Sequence, residues 1–255
     1  VINPADESVL GELPHASMAD LDEALAAADR MFPVWRDTAA VKRAQILNKG
    51  AQLIRERMDA IARTLTMEQG KTLSESKGEL LRCPEILEWY AGEGMRAYGR
   101  IIPGRVPNSR SMVLKEPVGP VLALTPWNFP AYTPMRKIAA ALGAGCSVIV
   151  KASEETPGTC VALARCLQDA GLPDGVLNVI FGVPSEVSEY LIPHPTIRKI
   201  SFTGSVPVGK LLTKMAGEHM KRTTMELGGH SPVIVFDDVD TDKVVNMIAG
   251  WKFAN

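Results

Sequence analysis

From Val118 onward the sequence repeats one unit: a short apolar run, a turn, then a helical stretch. That repeat constrains the fold more than any other feature. The runs lie at 121–124, 147–150, 176–181, 199–203 and 233–236, and helical stretches at 134–142, 158–169, 207–216 and 240–253 lie between or after them. Apolar runs without polar alternation are buried on both faces, and strands separated by helices pair in parallel. The expectation is an α/β fold built on a parallel, doubly wound sheet. Ligands of such sheets sit beyond the carboxyl ends of the strands. The residues just after each run therefore matter most.

The first hundred residues read differently. Leu21, Leu25, Ala28, Phe32 and Trp35 recur at spacings of 4, 3, 4 and 3, one face of an amphipathic helix. Ser17 or Asp20 can cap its start, and Pro33 lies close to its end. A second stripe, Val41, Ala44, Leu47, Ala51, Ile54, Met58, Ile61 and Leu65, reads as one helix stopped by Gly70. A third, about 72–97, contains Pro84, which should kink or break it. All three stripes read as core packing. Residues 100–120 are turn-rich and then extended, a two-stranded ribbon projecting from the body. An isolated hairpin is marginal in water, so this one is expected to pack on something else, such as another subunit.

Composition excludes several classes. Lys+Arg is 28 against 29 Asp+Glu, without the basic excess of a duplex-binding domain. Hydrophobic residues are 46% and charged residues 22%, as in globular proteins, which excludes dominant disorder. Cys83, Cys146, Cys160 and Cys166 form no Cys-x-x-Cys and no Cys/His cluster. That argues against a structural metal and a disulfide scaffold, and free thiols fit a reducing cytoplasm. The longest apolar stretch, 138–150, is too short to span a bilayer and holds Gly143 and Gly145. No signal-peptide pattern opens the chain. The sequence starts at Val1 and stops at Asn255 without a cap, so both ends read as cuts.

Four places can carry chemistry. After the first run comes Thr125-Pro126-Trp127-Asn128-Phe129-Pro130. Two prolines fix the turn, and the Asn128 amide is a neutral donor suited to an oxyanion, or simply to capping the next helix. After the second come Lys151 and Glu154, three apart, able to reach two ribose hydroxyls or merely to pair with each other. A carboxylate there would repel a 2′-phosphate and favour NAD over NADP. After the fourth comes Thr203-Gly204-Ser205-Val206-Pro207-Val208-Gly209-Lys210. It imitates a nucleotide-hydrolase P-loop, with 233–238 imitating the acidic strand that partners one. Leu211 stands where the magnesium-binding hydroxyl belongs, and Pro207 removes a backbone N–H. The milder reading lets Gly204 and Ser205 approach a pyrophosphate at a helix start. No G-x-G-x-x-G occurs. Last comes Glu226-Leu227-Gly228-Gly229, a carboxylate beside permissive backbone, able to act as a general base or simply to precede a turn.

These motifs, in this order and spacing, resemble the aldehyde dehydrogenase superfamily over nearly the whole chain, from Asn3-Pro4 to Phe253-Ala254-Asn255. The resemblance implies a Rossmann-like variant sheet preceded by helices, with 1–99 and 119–229 as dinucleotide-binding domain. It also implies 100–118 as oligomerisation hairpin and 230–255 as the start of a catalytic domain. It implies oxidation of an aldehyde to an acid through a cysteine thiohemiacetal and thioester, with NAD, or NADP, as hydride acceptor. Asn128 matches the oxyanion donor and Glu226 the base that activates water. Lys151 and Glu154 match the ribose pair, Gly204 and Ser205 the pyrophosphate loop, and Trp127, Val208 and Leu227 positions along the cofactor. Lys137 matches a lysine sometimes placed in proton relays, but a surface helix lysine is the reading preferred here.

Two departures accompany the match. Ala152 stands where the family usually has Pro, and the family's nucleophile lies in a stretch beyond Asn255, so this length alone should be inactive. None of the four cysteines matches it. Cys146 reads as core, and Cys160 and Cys166 as helix residues. Met135-Arg136-Lys137, Gly145-Cys146 and Glu68-Gln69-Gly70-Lys71 look like the succinate-semialdehyde dehydrogenase branch. Arg136 can then pair with a distal carboxylate of a small aldehyde substrate. The resemblance further implies a homodimer or homotetramer; the charge balance, apolar run lengths and cysteine pattern above point to a cytoplasmic protein with no nucleic-acid or membrane partner and no metal. The competing readings are a P-loop nucleotide hydrolase and a non-catalytic dinucleotide-binding protein.

Overall fold

Strand side chains alternate between two cores. Val121, Ala123, Val148 and Val150 face one; Leu122, Leu124, Ile149, Ile200 and Phe202 face the other. A period of two on strands buried on both sides is what a sheet between two helical layers requires. The computed structural model describes residues 1–253; Ala254 and Asn255, the end of the Phe-Ala-Asn segment, lie outside the described residues.

Four helices come first: α1 (Met18–Asp37), α2 (Ala40–Glu56), α3 (Met58–Gln69) and α4 (Leu73–Met95). A two-stranded antiparallel hairpin follows, β1 (Arg100–Pro103) with β2 (Arg110–Val113). Then strands and helices alternate: β3 (Val121–Leu124), α5 (Tyr132–Gly143), β4 (Val148–Lys151), α6 (Pro157–Asp169), β5 (Leu177–Ile180), α7 (Pro184–Leu191), β6 (Lys199–Gly204), α8 (Val206–Glu218), β7 (Arg222–Leu227) and α9 (Thr241–Lys252). The five later strands are all parallel, in the order β5-β4-β3-β6-β7. The expected α/β doubly wound sheet, preceded by helices and carrying a hairpin, is present. The chain proceeds outward from β3 to β5, then returns to the other side of β3. The switch point therefore falls between β3 and β6, where open sheets of this class form a crevice.

Several boundaries differ from expectation. The stripe from Val41 to Leu65 is two helices meeting at Arg57 (φ −100°, ψ 6°), whose guanidinium pairs with Asp169 at 2.6 Å. The apolar period runs through the bend, and no Gly or Pro marks it. Gly70 does end α3, at φ +93° with its N–H donating to the Thr66 carbonyl. Pro84 neither breaks nor ends α4: Leu80, Cys83 and Leu87 on both sides of it are fully buried. That packing outweighs the roughly 3 kcal/mol a helical proline costs. Residues 233–236 form no strand; Ile234 and Phe236 are exposed. The edge of the sheet is instead β7, which sequence reading missed because its residues are largely polar and exposed. α7 was missed too, being only eight residues long.

Candidate active site

The crevice at the switch point is a cleft of about 520 Å³. Its walls come from the carboxyl ends of β3, β4 and β6: Leu124–Trp127, Lys151 with Ser153–Glu155, and Phe202–Gly204, with Val208 and Leu212 from α8 and Pro184 and Ser188 from α7. Of the residues singled out from sequence, Trp127, Lys151, Glu154, Gly204 and Val208 line it. Lys151 is buried, and its Nζ lies 2.5 Å from the Glu154 carboxylate, which also accepts from the Gly182 N–H at 3.1 Å. The pair therefore partly neutralises itself, which weakens any repulsion Glu154 exerts on a second phosphate. Thr125 also lines the cleft, and its buried Oγ1 has no partner among the described residues. Sequence reading did not single it out; a hydroxyl between an apolar strand and Pro126 was the available signal.

Ser205 is placed differently. It is the N-cap of α8, its side chain accepting from the Val208 N–H, and it is not among the cleft residues. Leu227 packs on Gly209, where a Cβ would stand 2.5 Å from its Cδ2. Gly204 and Gly209 do not flank a phosphate loop. β6 ends at Gly204 and α8 begins at Val206, so Gly209 and Lys210 already lie inside the helix. A P-loop needs the free N–H groups of a long turn, and one linking residue cannot supply them. The nucleotide-hydrolase reading is not favoured.

A second cleft, of about 390 Å³, opens on the opposite sheet face, against α5. Arg136, Lys137, Lys199, Ser201, Thr203, Thr224 and Glu226 line it. Glu226 lies within β7, opposite Thr203 of β6, and Thr203 borders both clefts. The half-exposed Arg136 guanidinium comes within 4.0 Å of Glu226 and lies 5.7 Å above the Tyr132 ring. Lys137 corrects the surface reading. It is 8% exposed and its Nζ is 3.2 Å from the Ser201 hydroxyl. Burial pushes its ammonium down to about 8; Glu226 opposes this, while Arg136 and Lys199 add to it.

Asn128 borders neither cleft, but its loop is firmly held. The buried Lys71 donates to the Asn128 carbonyl at 2.9 Å and to Glu79 at 2.8 Å, and lies 4.3 Å above the Phe129 ring. Glu79 accepts from the Ala131 and Tyr132 N–H groups at 2.8 and 2.9 Å. Nearby, Glu68 accepts from the Gly158 and Thr159 N–H groups, both at 2.8 Å, capping α6; burial raises its carboxyl above the usual range. The Glu68–Lys71 motif thus braces the segments after both β3 and β4. Sequence reading used it only as a mark of kinship.

All four cysteines are buried free thiols. Burial raises each of them, Cys160 to about 12, so none is primed as a nucleophile. Among the described residues no group of three or more His, Cys, Asp or Glu could hold a metal ion. No described helix is long and apolar enough to cross a membrane.

A family model described as "Aldehyde dehydrogenase family" matches residues 1–255. The chain is 48% identical, over its full length, to 4-(hydroxymethyl)benzenesulfonate dehydrogenase TsaD1 of Comamonas testosteroni, covering 53% of that protein. It is 43% identical to succinate-semialdehyde dehydrogenase [NADP(+)] GabD of Escherichia coli K12, covering all of this chain and 53% of that one. The crystal structure of succinate-semialdehyde dehydrogenase from Burkholderia pseudomallei superposes with a TM-score of 0.96 at 42% identity, over 99% of this chain and 52% of that chain. The chain thus spans about half the length of the relatives it matches.

Proposed function

The chain belongs to the aldehyde dehydrogenase family, and from that premise we propose that the protein oxidises an aldehyde bearing an anionic group to the acid, using NAD or NADP. One observation carries this: a cleft at the sheet's switch point and a cleft holding Glu226 both border Thr203, from opposite faces of the sheet. The first cleft fits a dinucleotide. It lies where such sheets bind nucleotides, and it offers Lys151 and Glu154 to sugar hydroxyls. Trp127 and Val208 supply apolar contacts there, and Gly204 the close approach for phosphates; Ser205 caps α8 beside it, and Leu227 acts through its packing on Gly209 of the same helix. A bound nicotinamide dinucleotide supplies the hydride acceptor. Of this chain's own groups, Asn128 donates to the substrate oxyanion and Glu226 takes a proton from the attacking water. Lys137, poised near 8 and neighbouring Glu226, can pass that proton on.

The substrate's anion is read from Arg136, Lys137 and Lys199, which line the Glu226 cleft together. The relatives' names carry a sulfonate in one case and succinate semialdehyde in the other. A carboxylated semialdehyde is the specific proposal, with Arg136 as its anchor. In the full-length protein, Arg136→Ala should lower kcat/KM for succinate semialdehyde about 10- to 100-fold, the worth of a charge-assisted pair. Butanal, lacking the charge, should change little. An unchanged ratio between the two substrates would sink the assignment.

The same reading divides the chain into a dinucleotide-binding domain (1–99 and 119–229), an oligomerisation hairpin (100–118) and the start of a catalytic domain (230–255). The hairpin's four-residue strands are wholly exposed, with Ile101 and Met112 outward, which favours a homodimer or homotetramer. Free buried thiols favour the cytoplasm.

A further inference from the structure

We propose that Lys71 and Glu79 form a positioning clamp that fixes where the Asn128 amide points, and that reaction at the aldehyde depends on it. The inference rests on the reading of Asn128 as oxyanion donor. Both side chains are almost fully buried, at 1% and 2% exposure, and are 2.8 Å apart. A buried ion pair is weak evidence for stability, since an apolar pair of like volume often serves as well. What an apolar pair cannot do is hold backbone polar groups. Lys71 holds the carbonyl of Asn128 itself and lies against the ring of Phe129. Glu79 holds the N–H groups of Ala131 and Tyr132. One ion pair therefore grips both ends of the segment 128–132.

Local sequence does not grip it. Ala131, the N-cap of α5, has no side chain with which to cap, so Glu79 reaches across from α4 to do so. Pro126 and Pro130 restrict the backbone on either side of Asn128. The remaining freedom lies in the peptide after Asn128, whose carbonyl Lys71 holds. Oxyanion donors act only when they are held within about 0.5 Å of the productive position. Lys71 is far from substrate in role: it acts through Asn128 and touches no reacting atom.

The test is a double-mutant cycle in the full-length protein. Lys71→Met leaves Glu79 uncompensated and can fail to fold, so Lys71→Met/Glu79→Gln, which removes both charges, is made beside it. Either variant should lower kcat/KM for the aldehyde tenfold or more while Kd for the dinucleotide stays within twofold. In an Asn128→Ala background the same substitutions should cost less than twofold, because their effect passes through that amide. Equal losses in both backgrounds, or a parallel loss of dinucleotide affinity, would mean a merely structural pair and overturn the clamp alone. Full activity of Asn128→Ala itself would overturn the oxyanion reading and the clamp with it.

Discussion

Lys137 is the residue at which burial and charge pull hardest against each other. Its folded pKa of about 8 lies below the ordinary 10.5. Between those values the unfolded chain binds more protons than the folded one, so stability rises with pH across that window. Below about 8 both states are charged, and the fold carries the whole penalty, on the order of 3 kcal/mol at 1.36 kcal/mol per unit. Lys137→Met keeps the volume and removes the charge, at the cost of one partner for Ser201. Its melting temperature should exceed the parent's at pH 7, and the gap should close between pH 8 and 10.5. A gap independent of pH would show that burial of the ammonium is not the cause.

Among the elements, α6 depends most visibly on a residue from elsewhere in the chain. Its N-cap, Thr156, makes no side-chain capping bond, and Glu68 of α3 receives its first N–H groups instead. Glu68→Ala leaves two donors without a partner, costing about 2–4 kcal/mol. The melting temperature should fall by about 4–16 °C at 2–4 °C per kcal/mol. Glu68→Gln retains an acceptor oxygen and should lose less; equal losses would argue against the cap. This brace also marks the limit of what sequence makes legible. The strands β3, β4 and β6 announce themselves because burial on both faces makes them apolar. The edge strand β7 does not, and the apolar run at 233–236 pairs with no strand among the described residues. Likewise Trp127, Lys151 and Glu154 follow strands and reach the cleft as their positions imply. Lys71 and Glu79 sit 57 and 52 residues before the groups they bind, and no local pattern encodes such contacts.

For the molecule as a whole, strand order decides which ligand class it can hold. Because the chain reverses between β3 and β6, the crevice opens there, and its walls come from three strand ends, α7 and α8 rather than from one glycine loop. A dinucleotide spans such walls. ATP-magnesium requires a phosphate cradle and a metal ligand, and the tight β6–α8 link offers neither. A ligand that binds only the folded state stabilises it by about 2.7 kcal/mol at 100 times its Kd. For a domain of this size that is a rise of about 5–10 °C in melting temperature. NAD or NADP should produce it in the full-length protein, and ATP-magnesium should not. The choice between the two dinucleotides turns on Glu154, whose charge Lys151 and the Gly182 N–H already offset. Glu154→Ala should therefore move the NADP shift upward relative to the NAD shift by only a small margin, under about 3 °C, equivalent to roughly 1 kcal/mol. A large swing toward NADP would mean that the carboxylate is unpaired when ligand binds. Stabilisation by ATP-magnesium alone would contradict the reading of the crevice altogether.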